Sequence, residues 1–492
     1  MKEYILSIDQ GTTSTKIVLY DLESNEIVKI IKPIKISTPE RNWVEHSPEK
    51  IFLSVVNGIK DIFSNFEVSP KEIIGVAIDN QGETVIPFNK TTLEPLYNAI
   101  VWQDNRTSED IKFYTNPDIE KYVEQTTGLF MDPYFSAPKM KWLLDNIPEV
   151  QTENKKNNLI IATSEVWIIN KLIKRNRFYT DVTTASRTML FDIDKYKWDE
   201  RIIDFFHLNI GIMPEVTPSV FEYGITDPSV CSGIEAPIIS SVVDQQSALY
   251  GHRCFNKGEA KLTLGTGGFL LVNAGSKIPL KNNRLITTVC PQLFNEKQYV
   301  IDGGIYTVGS AVDWLKNKLE LFGSIEEISE MVKCKESNVF FVPALAGLSV
   351  PYWTTNSNAA FVGMGLDTDK NQLLRAVLES IVFRVHQIME LIQETKTEVI
   401  TTLSVDGGVS NNNFLINYLS EISGISIIKP KESEITALGG FYLAGLGLGV
   451  WSDLDQIKKI KKDQILIKND INRENLVKYE KWKEIVTKII DI

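Results

Sequence analysis

Asp9 closes a β-rich apolar run, residues 4–8, and is followed by Gln10-Gly11-Thr12-Thr13-Ser14. Glycine lets backbone N–H groups approach a phosphate, hydroxyls add donors, and a strand-end carboxylate can hold hydrated Mg²⁺. The same composition also suits a plain hairpin turn. Gly265-Thr266-Gly267-Gly268 and Asp406-Gly407-Gly408 repeat the pattern after two further β-rich runs, 259–264 and 402–405. Three such turns suggest several backbone loops gathered around one polyphosphate. No GxxxxGK[ST] segment occurs, so the chain has no P-loop, and no GxGxxG follows the first strand.

Asp244 follows the run 238–243 and opens Asp244-Gln245-Gln246-Ser247. Aspartate is a good helix N-cap. A carboxylate at a helix N-terminus also stays ionised and can take a proton from an attacking hydroxyl. Both roles are open to it. Asn80-Gln81-Gly82-Glu83-Thr84, the segment 98–103 around Trp102 and the segment 131–136 around Tyr134 set polar groups and aromatics after apolar runs. A sugar or polyol site uses this mixture: an aromatic plane against C–H surfaces, with carboxylate and phenol for the hydroxyls. Trp102 and Tyr134 are equally at home in a core.

The elements that must position these groups are legible in outline. Residues 4–8, 16–20 and 27–36 read as strands, and Ser47-Pro48 reads as an N-cap with proline at the first helical position. Ile51, Val55, Ile59 and Ile62 continue that helix at helical spacing, and 73–78 is the next strand. The middle of the chain starts again in the same way, with strand, Gly/Thr turn and strand at 259–273. Two domains of one design explain this. A long amphipathic helix covers 373–392, and the last forty residues have a helical pattern.

The 492 residues are enough for two or three domains, and 43% hydrophobic residues supply a large core. Net charge is −11, which argues against nucleic acid as a partner. Cys231, Cys254, Cys290 and Cys334 have neither disulfide-framework nor metal-ligand spacing, and a reducing, cytoplasmic setting is expected. The N-terminus shows no signal-peptide organisation. The uncharged run 435–451 is shorter than the ~20 residues a membrane span needs and carries five glycines, so close core packing is expected.

Taken together, the motifs resemble the FGGY family of carbohydrate kinases over about residues 3–455, and are most similar there to glycerol kinases. The stretches that carry the resemblance include SIDQGTTSTK, YNAIVWQDNRT, TTGLFMDPYFSAPKMKWLLD, TTASRTMLFDI, VDQQSALYG, LGTGGF, VDGGVSNNNFL and EITALGGFYLAGL. The resemblance implies an α/β fold of two actin-like domains with mixed sheets flanked by helices around a central cleft. Residues 1–245 would form the acceptor side and 246–492 the nucleotide side. It implies ATP and Mg²⁺ as cofactors and a small polyol or sugar as the second substrate. Asp9 would orient Mg²⁺ through water, and Asp244 would be the catalytic base. Thr12, Thr13, Ser14, Lys16, Gly265, Thr266, Gly267, Gly309, Gly408 and Asn412 would face the nucleotide. Glu83, Trp102, Tyr134, Asp244, Gln245 and Phe269 would line the acceptor site. A homo-oligomer, dimer or tetramer, is expected.

The chain departs from the family pattern at several points. Gly82 stands where glycerol kinases have an acceptor-binding arginine, so a forked donor is gone and space is expected there. That keeps a four- or five-carbon polyol or ketose open as acceptor beside glycerol. Lys16 replaces an arginine, Thr354 an acidic residue, and Asn358 a downstream arginine. The stretch Asp227-Pro228-Ser229-Val230-Cys231-Ser232-Gly233 has no basic residue to hold a bisphosphate, and no histidine for a phosphocarrier protein. Neither fructose bisphosphate inhibition nor phosphocarrier activation is expected. An actin- or chaperone-like ATPase is the alternative of another class.

Overall fold

The computed structural model describes residues 2–174, 176–279, 285–333, 338–354, 357–394 and 399–490. Cys334 lies outside them. The remaining cysteines, Cys231, Cys254 and Cys290, are buried and unpaired, as their spacing implies.

The first strand, β1 (Tyr4–Gln10), is buried along its whole length, because it is an apolar run with neighbours on both edges. It pairs antiparallel with β2 (Ser14–Asp21), which pairs antiparallel with β3 (Glu26–Pro33). The third strand stops earlier than the run 27–36 suggests. It ends at Pro33, which has no N–H for the ladder. Helix α1 (Pro48–Asn65) begins as read, with Pro48 in its first turn and the Ser47 side chain accepting from Lys50 N. Its stripe Ile51, Val55, Ile59 and Ile62 is buried in the core beneath the sheet. Strand β4 (Ile73–Asn80) runs parallel to β1 on its other side. Strands β5 (Val220–Ile225) and β6 (Pro237–Val243) complete the order β5-β6-β4-β1-β2-β3.

The second sheet repeats this plan. Its strands are β7 (Glu259–Leu264), β8 (Gly268–Gly275), β9 (Ile286–Val289), β10 (Tyr299–Ile305), β11 (Thr402–Asp406), β12 (Ile427–Pro430) and β13 (Gln464–Ile467). The order is β9-β10-β8-β7-β11-β12-β13. From β10 to β13 the directions match those from β3 to β5 in the first sheet: antiparallel, antiparallel, parallel, parallel, antiparallel. Strand β9 is an addition at the edge. Strand β13 corrects the all-helical reading of the last forty residues. Gln464, Ile465 and Leu466 are exposed on an edge strand, so their pattern carries no core face, and the helical parts are Leu454–Lys458 and Arg473–Ile490.

The long helix Lys370–Glu394 buries Leu374, Val377, Ile381, Val385 and Ile388 against the second core. The helix Ile435–Gly447 packs across β4, β1 and β6 of the first sheet and against the helix Asp244–Gly251. Its glycines permit this closeness. A Cβ on Gly439 would lie 1.9 Å from Ser247 O, and one on Gly440 would lie 2.6 Å from Asp79 Oδ1. This is the core packing expected of the run 435–451. No helix among the described residues is long and apolar enough to cross a membrane.

Candidate active site

On the first sheet, Asp9 sits one residue before the end of β1 and is buried. Burial raises its pKa. Lys16, 3.5 Å away, opposes the shift, and the Glu434 carboxylate adds to it. Lys16 is held by Glu434 at 2.9 Å as well as by Asp9, so its charge is shared between two carboxylates. The turn after β1 closes with Gly11 N donating to Ser14 O at 3.0 Å. Thr13 at its tip is exposed, and Thr12 and Ser14 are half-buried. The hairpin reading and the phosphate-turn reading therefore describe the same turn.

Thr12 is fixed from outside the turn. Trp102 Nε1 donates to Thr12 Oγ1 at 2.9 Å. Trp102 follows the short strand Ala99–Ile100 of a separate four-stranded sheet, and its backbone N donates to Thr84 Oγ1 at 3.3 Å. Its ring meets Tyr134 edge-on, with centroids 5.7 Å apart. The Tyr134 turn is clamped by buried Lys139, whose Nζ donates to the carbonyls of Pro133 (2.7 Å), Tyr134 and Phe135 (3.1 Å). Burial lowers the Lys139 pKa to about 8.

Glu83 is buried with φ 56°. Its carboxylate accepts from Arg187 Nε. The same guanidinium donates from Nη1 to Asp302 Oδ2 at 2.8 Å and from Nη2 to Tyr134 OH at 3.4 Å. Burial works against the Arg187 charge, but Glu83, Tyr134 and Asp302 outweigh it, and its pKa lies well above the ordinary value. Asp302 belongs to β10, so Arg187 joins elements of both sheets.

Asp244 is not an N-cap. Val243 holds that position without a side-chain bond, and Asp244 is the first helical residue, its Oδ1 accepting from Gln245 N at 2.7 Å. The chain turns directly from the buried strand β6 into the helix, which leaves no room for a capping residue between them. Burial pushes the Asp244 pKa up to about 7. Asp9 and Glu83 add to the rise, while Lys261 and the Gln245 N–H oppose it. Buried Lys261, on β7, donates to Gln245 Oε1 and to Thr263 Oγ1 (3.0 Å). It thus tethers the residue after Asp244 to the second sheet.

On the second sheet, the turn 265–268 joins β7 to β8. Gly265 N donates to Gly267 O at 2.9 Å, and Gly309 N returns to Gly265 O at 2.9 Å. A Cβ on Gly309 would lie 2.6 Å from Gly265 O, so only glycine allows these two backbones to meet. Thr266 is exposed at the turn, and its carbonyl accepts from Ser310 N at 3.1 Å. Phe269, on β8, is half-buried opposite Gly304. At the end of β11, Asp406 Oδ2 lies 3.1 Å from His252 Nε2. Gly408 beyond it is exposed, with nothing within 4 Å of a Cβ placed there. Asn412 is the N-cap of the helix Asn413–Ser423, its Oδ1 accepting from Leu415 N at 3.3 Å.

A family model for the N-terminal domain of the FGGY family of carbohydrate kinases matches residues 4–251, and the model for its C-terminal domain matches residues 260–448. The chain belongs to the FGGY family of carbohydrate kinases. It is 37% identical over 497 residues to a glycerol kinase of Clostridium botulinum, covering 100% of this chain and 99% of that one. It is 35% identical over 493 residues to a glycerol kinase of Haemophilus influenzae, covering 100% and 98%. The crystal structure of Plasmodium falciparum glycerol kinase with ADP superposes with a TM-score of 0.93 at 33% identity, covering 99% and 98%.

The site of this FGGY kinase suits the two groups that its family uses. Gly408 leaves an opening that no other part of the described chain fills, beside the exposed Thr266 turn, as a nucleotide requires. No cluster of three metal-ligating side chains exists among the described residues. Asp9 is a lone strand-end carboxylate, which suits Mg²⁺, an ion held by one or two carboxylates, waters and substrate phosphates.

Arg187, Asp302, Lys261 and Glu434 are the polar residues that motif reading did not assign. Arg187 lies inside the stretch TTASRTMLFDI, and its importance shows only through contacts more than a hundred positions away. The space expected at Gly82 is narrowed on the Val243 side. Position 82 is buried, and a Cβ there would lie 3.0 Å from Val243 Cγ2 and 3.9 Å from Arg187 Cγ. Thr354 is engaged in backbone pairing with Leu348 (2.8 and 2.9 Å), and Asn358 is exposed.

Proposed function

We propose that this kinase transfers the γ-phosphoryl group of ATP to a terminal hydroxyl of glycerol, giving glycerol 3-phosphate. The observation that carries this reading is the Trp102–Thr12 hydrogen bond. It ties the Trp102–Tyr134 aromatic pair directly to the turn that follows Asp9. A hydroxyl lying against Trp102 and Tyr134 is therefore delivered beside the phosphate turn, as in-line transfer requires. The full-length likeness to glycerol kinases supports glycerol as that acceptor.

Asp244 acts as the base. Its carboxyl, raised to about 7, is matched to taking a proton from an alcohol near neutral pH. Glu83 and Tyr134 offer acceptor and donor groups to the other hydroxyls. Thr12, Thr13 and the backbone of 11–14 face the transferred group from the first sheet, and Thr266, Gly309 and Gly408 face the nucleotide from the second. Bound Mg²⁺ would offset charge on the phosphate oxygens, with Asp9 positioning its water shell. Closing the cleft excludes water, which would otherwise compete as acceptor.

Val243 Cγ2, 3.0 Å from where a Cβ of residue 82 would lie, narrows the room that a larger acceptor would need there. Incubating the protein with ATP, Mg²⁺ and glycerol and following products by ³¹P NMR tests the proposal. Equal amounts of ADP and glycerol 3-phosphate are expected. ADP release without a phosphorylated glycerol would overturn it.

A further inference from the structure

We infer that Arg187 reads an acceptor hydroxyl in place of a side chain at position 82, and so sets the enzyme's preference for a triol. The inference rests on the polyol-kinase reading above. Gly82 offers no side-chain donor, yet the pocket has a buried carboxylate, Glu83, that requires a cation beside it. Arg187 supplies that cation from another element. It lies in the turn after the short helix Val182–Ala185, with its backbone N donating to Thr184 O at 3.0 Å. The side chain packs over the Cα of Gly82, where a Cβ would come 3.9 Å from its Cγ.

Three of the five guanidinium N–H groups are used, one each by Glu83, Asp302 and Tyr134. The donation to Tyr134 is the longest of the three, at 3.4 Å. That places Nη2 beside the Tyr134 hydroxyl, and the Tyr134 ring in turn meets Trp102 edge-on. Its second N–H, and the weak donation to Tyr134, are available to an oxygen arriving there. The guanidinium plane is fixed from both sides of the cleft, by Glu83 on the first side and by Asp302 of β10 on the second. Donor direction is therefore set before the acceptor binds, which favours selection by hydrogen bonding over selection by size.

This differs from a purely structural ion pair in one measurable way. A structural Arg187 would, on mutation, weaken every acceptor alike. A hydroxyl-reading Arg187 discriminates between acceptors that have and lack the hydroxyl it contacts. The test compares kcat/KM for glycerol with those for 1,2-propanediol and 1,3-propanediol, each missing one hydroxyl, in the parent, Arg187→Lys and Arg187→Gln. The parent should prefer glycerol to at least one propanediol by roughly tenfold to a hundredfold, the range for a charged hydrogen bond. Arg187→Gln should collapse that ratio to within about threefold of unity, with KM for glycerol rising more than kcat falls, and Arg187→Lys should retain part of it.

Because each comparison is made within one variant, a loss of stability cancels. Unchanged ratios for both propanediols in Arg187→Gln would overturn the role of Arg187 and leave the glycerol kinase reading standing. A parent without turnover on glycerol would overturn both.

Discussion

The two sheets share one strand plan, yet the equivalent strand ends are finished differently. In the first sheet, Asp79 sits one residue before the end of β4 and is fully buried. Its Oδ1 accepts from Ser247 Oγ at 2.8 Å, and the Ile435–Gly447 helix covers it. Burial holds its pKa well above the usual carboxylate range. In the second sheet, β11 ends at Asp406, which pairs with His252 and runs into exposed Gly407 and Gly408. The hairpin turns differ in the opposite sense. The first has a carboxylate and hydroxyls at Asp9, Thr12 and Thr13, while the second is mostly glycine. Duplicating a scaffold thus fixes where strand ends lie, and leaves the residues on those ends free to differ. Under the proposed function, the carboxylates Asp9 and Asp244 would serve chemistry on one side, and open backbone would serve a nucleotide on the other.

The sharpest way to break this division is at Asp244. Asp244→Asn should lower kcat by roughly 10²- to 10⁴-fold while leaving ATP binding and folding intact, since an amide cannot take the proton. The buried carboxylate is penalised by desolvation, so its loss removes a cost to the fold. Turnover near the parent's would remove Asp244 from the mechanism.

A pair of glycines separates the halves next. The Cβ of Gly408→Ala would meet nothing within 4 Å, so the melting temperature should hold while KM for ATP rises about tenfold, or ~1.4 kcal/mol. Gly440→Ala meets Asp79 at 2.6 Å, and should cost about 1–3 kcal/mol of stability before any effect on ATP. Calorimetry with ATP titration reads both. The reverse pattern would mean that the open strand end is not the nucleotide side.

The pH dependence links the halves. Asp244 must be ionised to act as base, and its folded-state pKa is raised to about 7. Activity is therefore full above that value and falls as pH drops through it, by about tenfold per pH unit once the carboxyl is protonated. Lys261 opposes this rise from the second sheet, so Lys261→Gln should move the acid limb of kcat/KM to higher pH. An unmoved or lowered limb would show that Lys261 does not act on Asp244. The smallest effect belongs to Trp102→Phe. It keeps the ring and loses the bond to Thr12, worth ~0.5–1.5 kcal/mol, so kcat/KM for glycerol should fall by a few-fold.

The parts that the sequence made legible are those governed by local rules. Buried apolar strands such as β1, the Ser47-Pro48 helix start and the Gly/Thr turns are written in consecutive residues. The edge strand β13 was illegible because it is exposed and lacks a core-facing pattern. The Asp244 position differed by one residue, since capping depends on how abruptly β6 turns into the helix. Arg187 was illegible for another reason. Its partners, Glu83 and Asp302, lie 104 and 115 positions away, and only the tertiary fold brings them together. The same distance hides the setting of Gly82, where a missing side chain suggests space that Val243 narrows from one side.

Under the proposed function, one half presents a small polyol and the other ATP across a single cleft. The most direct measurement is ADP release in the presence of Mg²⁺ with glycerol, with a pentulose such as xylulose, and with no acceptor. The expected kcat/KM for glycerol is about a hundredfold above that for the pentulose, with little ADP formed when no acceptor is present. Faster turnover with the pentulose, or ADP release indifferent to any acceptor, would contradict it.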